Sequence, residues 1–512
     1  MILERSKNAK RNSIWGLIGN IVSVVFPFIV RTVIIKELGM DYLGLSSLFT
    51  SILTVLNITE LGFGSAIVYS MYKPLAEDNT EQICALLNYY KKIYRSIGLL
   101  IFSAGCCLFP FLEHFIHGDV PKDISIYILY LLYLGNTALS YWLFAYKVSI
   151  LTIYQRNDVK SKIAIILGAM RNLAQILFLV LTHNYYLYVI VLLIETGGNN
   201  ILSAIYINKT YPQYTCRGKI NETLKRDIRK KISGLMAIRI SSVSRNAFDS
   251  IIVSSFLGLA SVAIYNNYYY VINALASMMH VLTSAIAAGI GNSIAADSRE
   301  KNLSDMNIIN FWYMWISGWF TVCLVCLYQP FMQLWVGKSM MLEDSVMWLF
   351  SVYFLLTQMG DMQVQYLDAT GLWWYRRWYS VAEAITNVCL NIVLGYFFGV
   401  AGVVSATIIT VFMINFFATP SILFKHYFRN GFKNYLCNQI LYICSTLFIA
   451  FITSKICSVI LMTDTVFELW STLFLRAMIC IFVPNIIFLL IYRKTKLFQK
   501  AYPWLRSRIG RS

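Results

Sequence analysis

Long apolar runs, each about as long as a membrane span, follow one another through almost the whole sequence. A transmembrane helix needs about 20 mainly apolar residues to cross a hydrocarbon core of roughly 30 Å. Because lipid offers no hydrogen-bond partners, each run must satisfy its own backbone groups, which a helix does. Only 13% of the 512 residues are charged, whereas a soluble domain carries roughly 25%. The sequence therefore predicts an all-α polytopic membrane protein.

The positions of these runs predict about fourteen transmembrane helices. We place the spans at residues 13–35, 42–71, 92–112, 124–146, 163–182, 185–208, 232–256, 260–295, 307–330, 345–370, 378–398, 402–424, 434–460 and 469–492. The segments between the spans are short, so we expect most of the chain to lie within or against the membrane.

The distribution of lysine and arginine tests this topology, because basic residues avoid the translocated side of a membrane. With the N-terminus in the cytoplasm, 34 of the 43 basic residues fall on the cytoplasmic side, when Lys92 and Arg95 at the cytoplasmic end of span 3 are included. The outer side holds only Lys36, Lys122 and Lys338 in loops and Lys455 at the outer end of span 13, and five arginines lie deeper within spans. We therefore expect a multi-pass protein of the cytoplasmic (inner) membrane with both termini in the cytoplasm.

The formal net charge of +18 follows largely from this sidedness rather than from a nucleic-acid partner. The basic segments 209–231 and 493–511 both fall on the cytoplasmic side. Basic groups next to a membrane are attracted to anionic lipid by about 1 kcal/mol each. We predict membrane lipids as partners and no nucleic acid.

The eleven cysteines and five histidines show no pattern typical of a metal site. Cys323 and Cys326 form a CxxC pair, but the pair lies inside an apolar helix with no ligand nearby in sequence. Cysteine packs readily as a small apolar side chain. We predict no metal and no bound cofactor.

An internal repeat relates the first two predicted spans to the seventh and eighth. With an offset of 219 positions, Leu38-Gly39 falls on Leu257-Gly258, and span 1 falls on span 7. An offset of six spans keeps orientation, so the repeat is parallel, as in many transporters. We predict a first six-helix lobe at 1–231, a second at 232–433, and two appended helices with a basic tail at 434–512.

Spans 1 and 7 each carry a polar stripe, because their polar residues recur at steps of three and four. Buried arginines are costly in a membrane and usually face a cavity or a partner. We therefore predict a substrate-binding cavity, although small polar residues also join helices without binding anything. The candidate substrate-binding residues are Asn20, Ser23 and Arg31 of span 1, Arg171 of span 5, and Arg239, Ser242, Arg245 and Asn246 of span 7.

Two acidic residues within spans complicate a purely cationic cavity. Glu60 shares a face of span 2 with Asn57 and Gly64, and Asp249 is four residues after Arg245 in span 7. Each is a candidate charge partner for an arginine or a candidate site for a coupling ion. The fifth arginine within a span, Arg476, lies outside the repeat, and we predict a structural role for it.

Four segments, in order along nearly the whole chain, resemble a known family. They are residues 38–45 (LGMDYLGL), 60–64 (ELGFG), 154–162 (YQRNDVKSK) and 387–407. Together they resemble the polysaccharide-transport, lipid-linked oligosaccharide flippase family of the multidrug/oligosaccharidyl-lipid/polysaccharide (MOP) exporter superfamily. The appended pair of helices matches the fourteen-helix members of that family.

This resemblance implies two six-helix lobes around a central cavity that the first and seventh helices line. It implies a flippase that moves polyprenyl-diphosphate-linked oligosaccharides by alternating access, for the export of capsule, O-antigen or exopolysaccharide. Such a protein delivers its substrate to polysaccharide polymerase machinery. Arginine suits a diphosphate because its planar fork donates two hydrogen bonds at once. Na⁺ and H⁺ both stay open as coupling ions.

Two other functions stay open. An ion-coupled multidrug exporter of the same superfamily would use acidic residues such as Glu60, Glu195 and Asp361. A membrane-embedded glycan polymerase or glycosyltransferase would need a sizeable soluble segment with paired carboxylates or a metal site. The longest cytoplasmic loop contains only two acidic residues, Glu222 and Asp227. We therefore predict that the protein is not an enzyme.

Overall fold

The computed structural model describes residues 5–60, 63–117, 120–460 and 466–509, and these ranges contain helices and connecting turns but no strand. The helices are α1 Arg5–Glu37, α2 Met40–Leu56, α3 Phe63–Ala76, α4 Thr80–Cys107, α5 Ile126–Trp142, α6 Val148–Ile153, α7 Asn157–Thr182, α8 Tyr185–Thr210, α9 Glu222–Leu257, α10 Leu259–Ala296, α11 Arg299–Val336, α12 Asp344–Ala369, α13 Trp373–Phe412, α14 Thr419–Leu423, α15 Phe432–Ser458, α16 Val466–Tyr492 and α17 Lys496–Ile509. The predicted all-α fold is confirmed.

Each predicted span coincides with a helix, with part of one, or with a pair of consecutive helices. Within the described ranges, six helices are long and apolar enough to cross a membrane, and eight if each of two bent pairs counts as one span. The count of fourteen therefore stays a prediction. Helix α9 begins at Glu222, so the second half of the predicted basic loop is helical rather than irregular.

The chain divides into two compact units, Met1–Ala263 and Ile264–Ser512. In the first unit α1 packs along α7, α7 along α8, and α2 along α9. In the second unit α11 is central, because it packs against α12, α15, α16 and α17. The predicted lobe boundaries at residues 231 and 433 stay predictions.

The glycines that the repeat superposes adopt the same backbone conformation. Gly39 follows α1 with φ 105° and ψ 179°, and Gly258 follows α9 with φ 87° and ψ 173°. Positive φ values are accessible to glycine because it lacks a Cβ atom. In both places a new helix begins at the next residue. The ends of α1 and α9 therefore have the same local geometry, and the repeat itself stays a prediction.

Two interruptions divide long apolar segments. A 3₁₀ turn at Asn57–Glu60 separates α2 from α3, so predicted span 2 is a broken helix rather than a continuous one. Gly399, with φ 57° and ψ −136°, breaks α13 at the junction predicted between spans 11 and 12. A 3₁₀ turn within a helix commonly marks a functional hinge, which draws attention to the polar residues of the first break.

The C-terminal segment forms a helix that packs against α11 within the second unit. Helix α17 packs against α11, and the indole Nε1 of Trp312 donates a hydrogen bond of 3.2 Å to the carbonyl of Ala501. Ala501 is completely buried. The predicted basic tail is therefore an ordered helix, because its apolar side finds a packing surface.

Candidate functional site

Arg171 of α7 is paired with a carboxylate of the neighbouring helix α8. Its Nη1 atom lies 3.6 Å from Oε2 of Glu195, and the two side chains are 23% and 18% exposed. The amide of Asn199 donates a hydrogen bond to the other oxygen of Glu195. Nη2 of Arg171 donates 3.1 Å to Oδ1 of Asn172. Glu195 is one of the acids that a multidrug exporter would use, and here it is held by an arginine and an amide.

Tyr188 of α8 lies within electrostatic range of two predicted site residues. Arg31 and Arg171 both interact electrostatically with its phenol. The Tyr188 main chain is fixed in turn, because its carbonyl accepts a 3.1 Å hydrogen bond from Nε2 of Gln175. We call Arg31, Arg171, Tyr188 and Glu195 the Tyr188 cluster. It contains two guanidinium groups and one carboxylate.

One hydrogen-bond donor of Arg171 is not used within the described residues. Its Nε atom is buried and has no hydrogen-bond partner among the residues that the structure describes. A buried donor without a partner costs about 1–3 kcal/mol. An anion that accepts from Nε would recover this free energy, so the cluster is suited to binding a negatively charged group.

The other predicted substrate-binding residues are only partly placed. Ser23 lies on α1 with its side chain exposed. Asn20 lies on α1 as well, and α9 carries Arg239, Ser242, Arg245 and Asn246. The side chains of these five residues lie outside the described part of the structure, so their roles stay predictions.

Glu60 lies in the 3₁₀ turn between α2 and α3, against tyrosines of α4. The hydroxyl of Tyr94 donates 2.8 Å to Oε1 of Glu60, and the hydroxyl of Tyr90 donates 2.7 Å to that of Tyr94. The hydroxyl of Tyr141 on α5 donates 3.1 Å to Oδ1 of Asn57. We call these five residues the Glu60 cluster. The carboxylate at the helix break is therefore held by a chain of hydroxyl groups.

Gly64 completes the Glu60 cluster by leaving room for it. A Cβ atom at Gly64 would lie 2.7 Å from the Tyr90 hydroxyl. Only a residue without a side chain lets the tyrosine approach the start of α3 so closely.

The second acidic candidate, Asp249, is 2% exposed on α9. Its role as a charge partner or ion site stays a prediction.

A third charged group, which the sequence reasoning did not identify as a site, joins the beginnings of α1 and α7. Asp158 is completely buried. Its carboxylate lies 2.8 Å from Nη2 of Arg11, 2.9 Å from Nε of Arg156 and 3.8 Å from Nζ of Lys162. The hydrogen bond to Asp158 raises the pKa of Arg156 above its ordinary value. We call these four residues the Asp158 cluster.

The Asp158 cluster also involves an aromatic ring, since the ammonium of Lys162 lies 4.9 Å from the ring centroid of Trp15 on α1. Asp158 and Arg171 are 13 residues apart on α7, which is about 20 Å along a helix axis. The α1–α7 pair thus carries one charged cluster near the beginning of α7 and another deep within it.

Comparison with protein families supplies the identification. Residues 9–288 match the family described as polysaccharide biosynthesis protein, which is more than half of the chain. The chain belongs to this family. All residues of the Tyr188, Glu60 and Asp158 clusters lie within the matched region.

Solved structures with the same fold are transporters. The lipid II flippase MurJ in an inward closed conformation has a TM-score of 0.63 and 17% identity, and the match covers 94% of this chain and 98% of that one. An inward-facing multidrug resistance MATE transporter of the MOP superfamily has a TM-score of 0.64 and 12% identity, with 80% and 98% covered. A MATE transporter of Vibrio cholerae has a TM-score of 0.57 and 14% identity, with 83% and 98% covered.

These comparisons confirm the predicted polysaccharide family, and they show that the chain has the fold of multi-pass transporters, including one of the MOP superfamily. The prediction that the chain is a transporter rather than an enzyme agrees with its structural neighbours, which are a flippase and MATE transporters. No curated protein sequence matches the chain closely enough to add a relative.

Proposed function

We propose that this protein is a flippase that moves polyprenyl-diphosphate-linked oligosaccharides across the cytoplasmic membrane for polysaccharide export. The observation that carries the proposal is the Tyr188 cluster, in which Arg171 pairs with Glu195 and keeps a buried Nε donor without a partner among the described residues, while Arg31 acts electrostatically on the same phenol as Arg171. The family of polysaccharide biosynthesis proteins supplies the biological context.

The diphosphate is the part of this substrate that the Tyr188 cluster fits. A guanidinium group binds phosphate oxygens through a planar fork of donors. In the unloaded cluster Glu195 supplies the counter-charge for Arg171. A diphosphate brings more negative charge than that single carboxylate and accepts from Nε as well. The polyprenyl chain stays in the lipid throughout, so no free energy is needed to move it out of an apolar environment.

The length of the structural match supports a flippase over a drug exporter. The match to the lipid II flippase covers 94% of the chain, whereas the first two MATE matches cover 80% and 83%. The difference is roughly the share of the chain that the appended segment 434–512 represents. A fold that includes these helices is closer to the architecture of a lipid flippase.

Transport by alternating access needs no bond to form or break. The cavity opens to one side of the membrane and then to the other, and the substrate phosphate stays neutralised by arginine in between. In this proposal both termini lie in the cytoplasm, the basic segments 209–231 and 493–511 contact anionic lipid, and polysaccharide polymerase machinery receives the product on the outer side.

The Glu60 cluster favours one alternative, an ion-coupled exporter of drugs or other small molecules. A carboxylate held by tyrosine hydroxyls at a helix break is suited to bind and release a proton or Na⁺. The same cluster also serves a flippase that uses an ion gradient. The Glu60 cluster therefore does not decide between the two substrates, and an experiment is needed to decide between them.

A cellular experiment tests the substrate. In a host that lacks its own copy of the gene, the intact protein should restore surface polysaccharide, and Arg31→Gln and Arg171→Gln should reduce it at least tenfold at equal protein level. Arg95→Gln is the matched control, because Arg95 is an exposed arginine of the same unit outside the three clusters. Normal polysaccharide from the Arg31→Gln/Arg171→Gln double variant, or restored drug efflux without polysaccharide, would contradict the proposal.

A further inference from the structure

Three cysteines from three different helices meet inside the second unit. Cys326 of α11, Cys457 of α15 and Cys480 of α16 have their Sγ atoms within 4.8 Å of one another. Their exposed fractions are 2%, 1% and 1%. We call these residues the thiol cluster. It is the one group of three or more metal-ligating side chains that the described residues bring together.

The sequence gives no sign of this cluster, because its members are 131 and 23 residues apart along the chain. The CxxC pair on α11 is misleading, since Cys323 is not part of the cluster. Cys323 instead lines an apolar cavity of about 310 Å³ with residues of α16 such as Leu473 and Ala477. Tertiary packing supplies Cys326 with two partners that spacing along the helix could not reveal.

The three helices that carry the thiols are held in close contact. A Cβ atom at Gly318 of α11 would lie 2.6 Å from Oγ1 of Thr446 on α15 and 2.9 Å from Cζ of Phe488 on α16. The indole Nε1 of Trp319 donates 2.7 Å to the carbonyl of Cys480. These contacts limit how far the three Sγ atoms move apart. Preorganisation of this kind is what a metal site requires.

A cation lies beside the thiols. Arg476 is one helical turn before Cys480 on α16 and interacts electrostatically with Cys457. Its Nη2 donates 2.7 Å to the carbonyl of Ile460. Its Nε is buried and has no hydrogen-bond partner among the described residues. A positive charge next to the thiols offsets part of the negative charge of a thiolate, which is the form that binds metals. The structural role predicted for Arg476 stays a prediction.

We propose that Cys326, Cys457 and Cys480 form a three-coordinate thiolate site for a soft monovalent cation, of which Cu(I) is the representative. Thiolate ligands select soft metals. With a metal–sulfur distance of about 2.3 Å, three sulfurs in a trigonal plane lie about 4 Å apart. The observed separations of up to 4.8 Å need only a small contraction to reach this geometry.

The ligand set also distinguishes between soft metals. Zinc in structural sites takes four ligands in a tetrahedron, and the described residues offer three. Mg²⁺ and Ca²⁺ require oxygen ligands. Cu(I) is satisfied by thiolates alone. Each thiol that binds the ion gives up its proton, so binding releases protons to solvent. A bound ion would tie the appended helices α15 and α16 to α11 and raise the stability of the unit.

The test uses the reduced, full-length protein purified in detergent under anaerobic conditions. Cu(I) is supplied as its coloured complex with bicinchoninate, and the loss of colour measures transfer of the ion to the protein. We expect about one equivalent to be transferred, and we expect Cys480→Ser to lower the affinity at least tenfold, as loss of a metal ligand should. Cys323→Ser is the matched control, because Cys323 lies one turn from Cys326 on the same helix.

Arg476→Gln keeps all three ligands and removes the cation, so it should weaken Cu(I) binding without abolishing it. This variant keeps the test valid if Cys480→Ser does not fold. Bound Cu(I) should also raise the thermal midpoint of the intact protein, as any ligand of the native state does. Equal losses from Cys323→Ser and Cys480→Ser, preferential uptake of zinc, or a disulfide within the cluster that persists after reduction would each overturn the proposal.

Discussion

The Arg171 guanidinium lies 3.6 Å from the Glu195 carboxylate, across the interface between two neighbouring helices of the first unit. This pair explains how an arginine is tolerated deep in an apolar helix. It also defines the contact that a bound substrate has to displace. An anionic ligand must compete with Glu195 for Arg171, and the structural and binding roles of the arginine can be separated by removing the two charges one at a time.

We predict that Arg171→Gln lowers both stability and transport. The change removes the cationic partner of the partly buried Glu195 carboxylate, and loss of such a partner costs about 2 kcal/mol. Adding Glu195→Gln should recover most of the stability, because no unpaired charge remains. It should not recover transport, because the cation is still missing. Thermal unfolding in detergent measures the first effect, and surface polysaccharide measures the second. Full transport by the stable double variant would show that Arg171 is only structural.

We predict that Glu60 couples transport to an ion gradient. Glu60→Gln removes the titratable group, so transport in vesicles should lose its dependence on an imposed pH or Na⁺ gradient. Tyr94→Phe keeps the carboxylate and removes the hydroxyl that donates 2.8 Å to it, so it should weaken the dependence rather than abolish it. Tyr127→Phe is the control, because Tyr127 is an exposed tyrosine that bonds a different acid, Glu113. An unchanged gradient dependence in Glu60→Gln would eliminate this role.

We predict that Asp158→Asn destabilises the first unit by about 3 kcal/mol, because breaking a buried charge network leaves its cations without a counter-charge. Asp158 is completely buried among Arg11, Arg156 and Lys162. Glu222→Gln is the control, since that carboxylate is exposed and pairs with Lys225 one turn along the same helix, and exposed pairs contribute roughly 0–1 kcal/mol. Equal unfolding midpoints for the two variants would mean that the Asp158 cluster does not hold α1 against α7.

Much of the architecture could be predicted because it follows from one-dimensional patterns. Apolar length located the helices, and the offset of 219 positions placed Gly39 and Gly258 after equivalent helices, where the structure gives both the same conformation. The weak break between spans 11 and 12 was also placed correctly, at Gly399. Such features depend on residues that are neighbours in sequence, where spacing alone carries the information.

The features that were missed depend on contacts between distant residues. The sequence showed an excess of buried acids and bases but not that Arg171 pairs with Glu195, or that Asp158 meets Arg11 from 147 residues away. The helix break at Asn57–Glu60 was missed because the segment is apolar on both sides. The thiol cluster was missed because its three members come from separate helices.

Sidedness is the part of the account that charge alone predicts, and it can be tested without transport. Reporter fusions after Lys338 and Asp464 should be active outside the cytoplasm, and those after Lys219 and Arg506 inside it. The reason is that 34 of the 43 basic residues fall on one side of the fourteen-span map. A cytoplasmic signal after Lys338 would show that the number of spans before it is wrong.

The most direct test of the account is flipping by the purified protein. Proteoliposomes would contain a fluorescent polyprenyl-diphosphate oligosaccharide, and a membrane-impermeant quencher would report how much of it reaches the outer leaflet. We predict that the intact protein raises the accessible fraction toward complete exchange, and that Arg31→Gln/Arg171→Gln behaves like protein-free vesicles while Arg95→Gln behaves like the intact protein. The proposed function would be contradicted if vesicles with the intact protein exposed no more of the labelled lipid than empty vesicles under every ion gradient imposed.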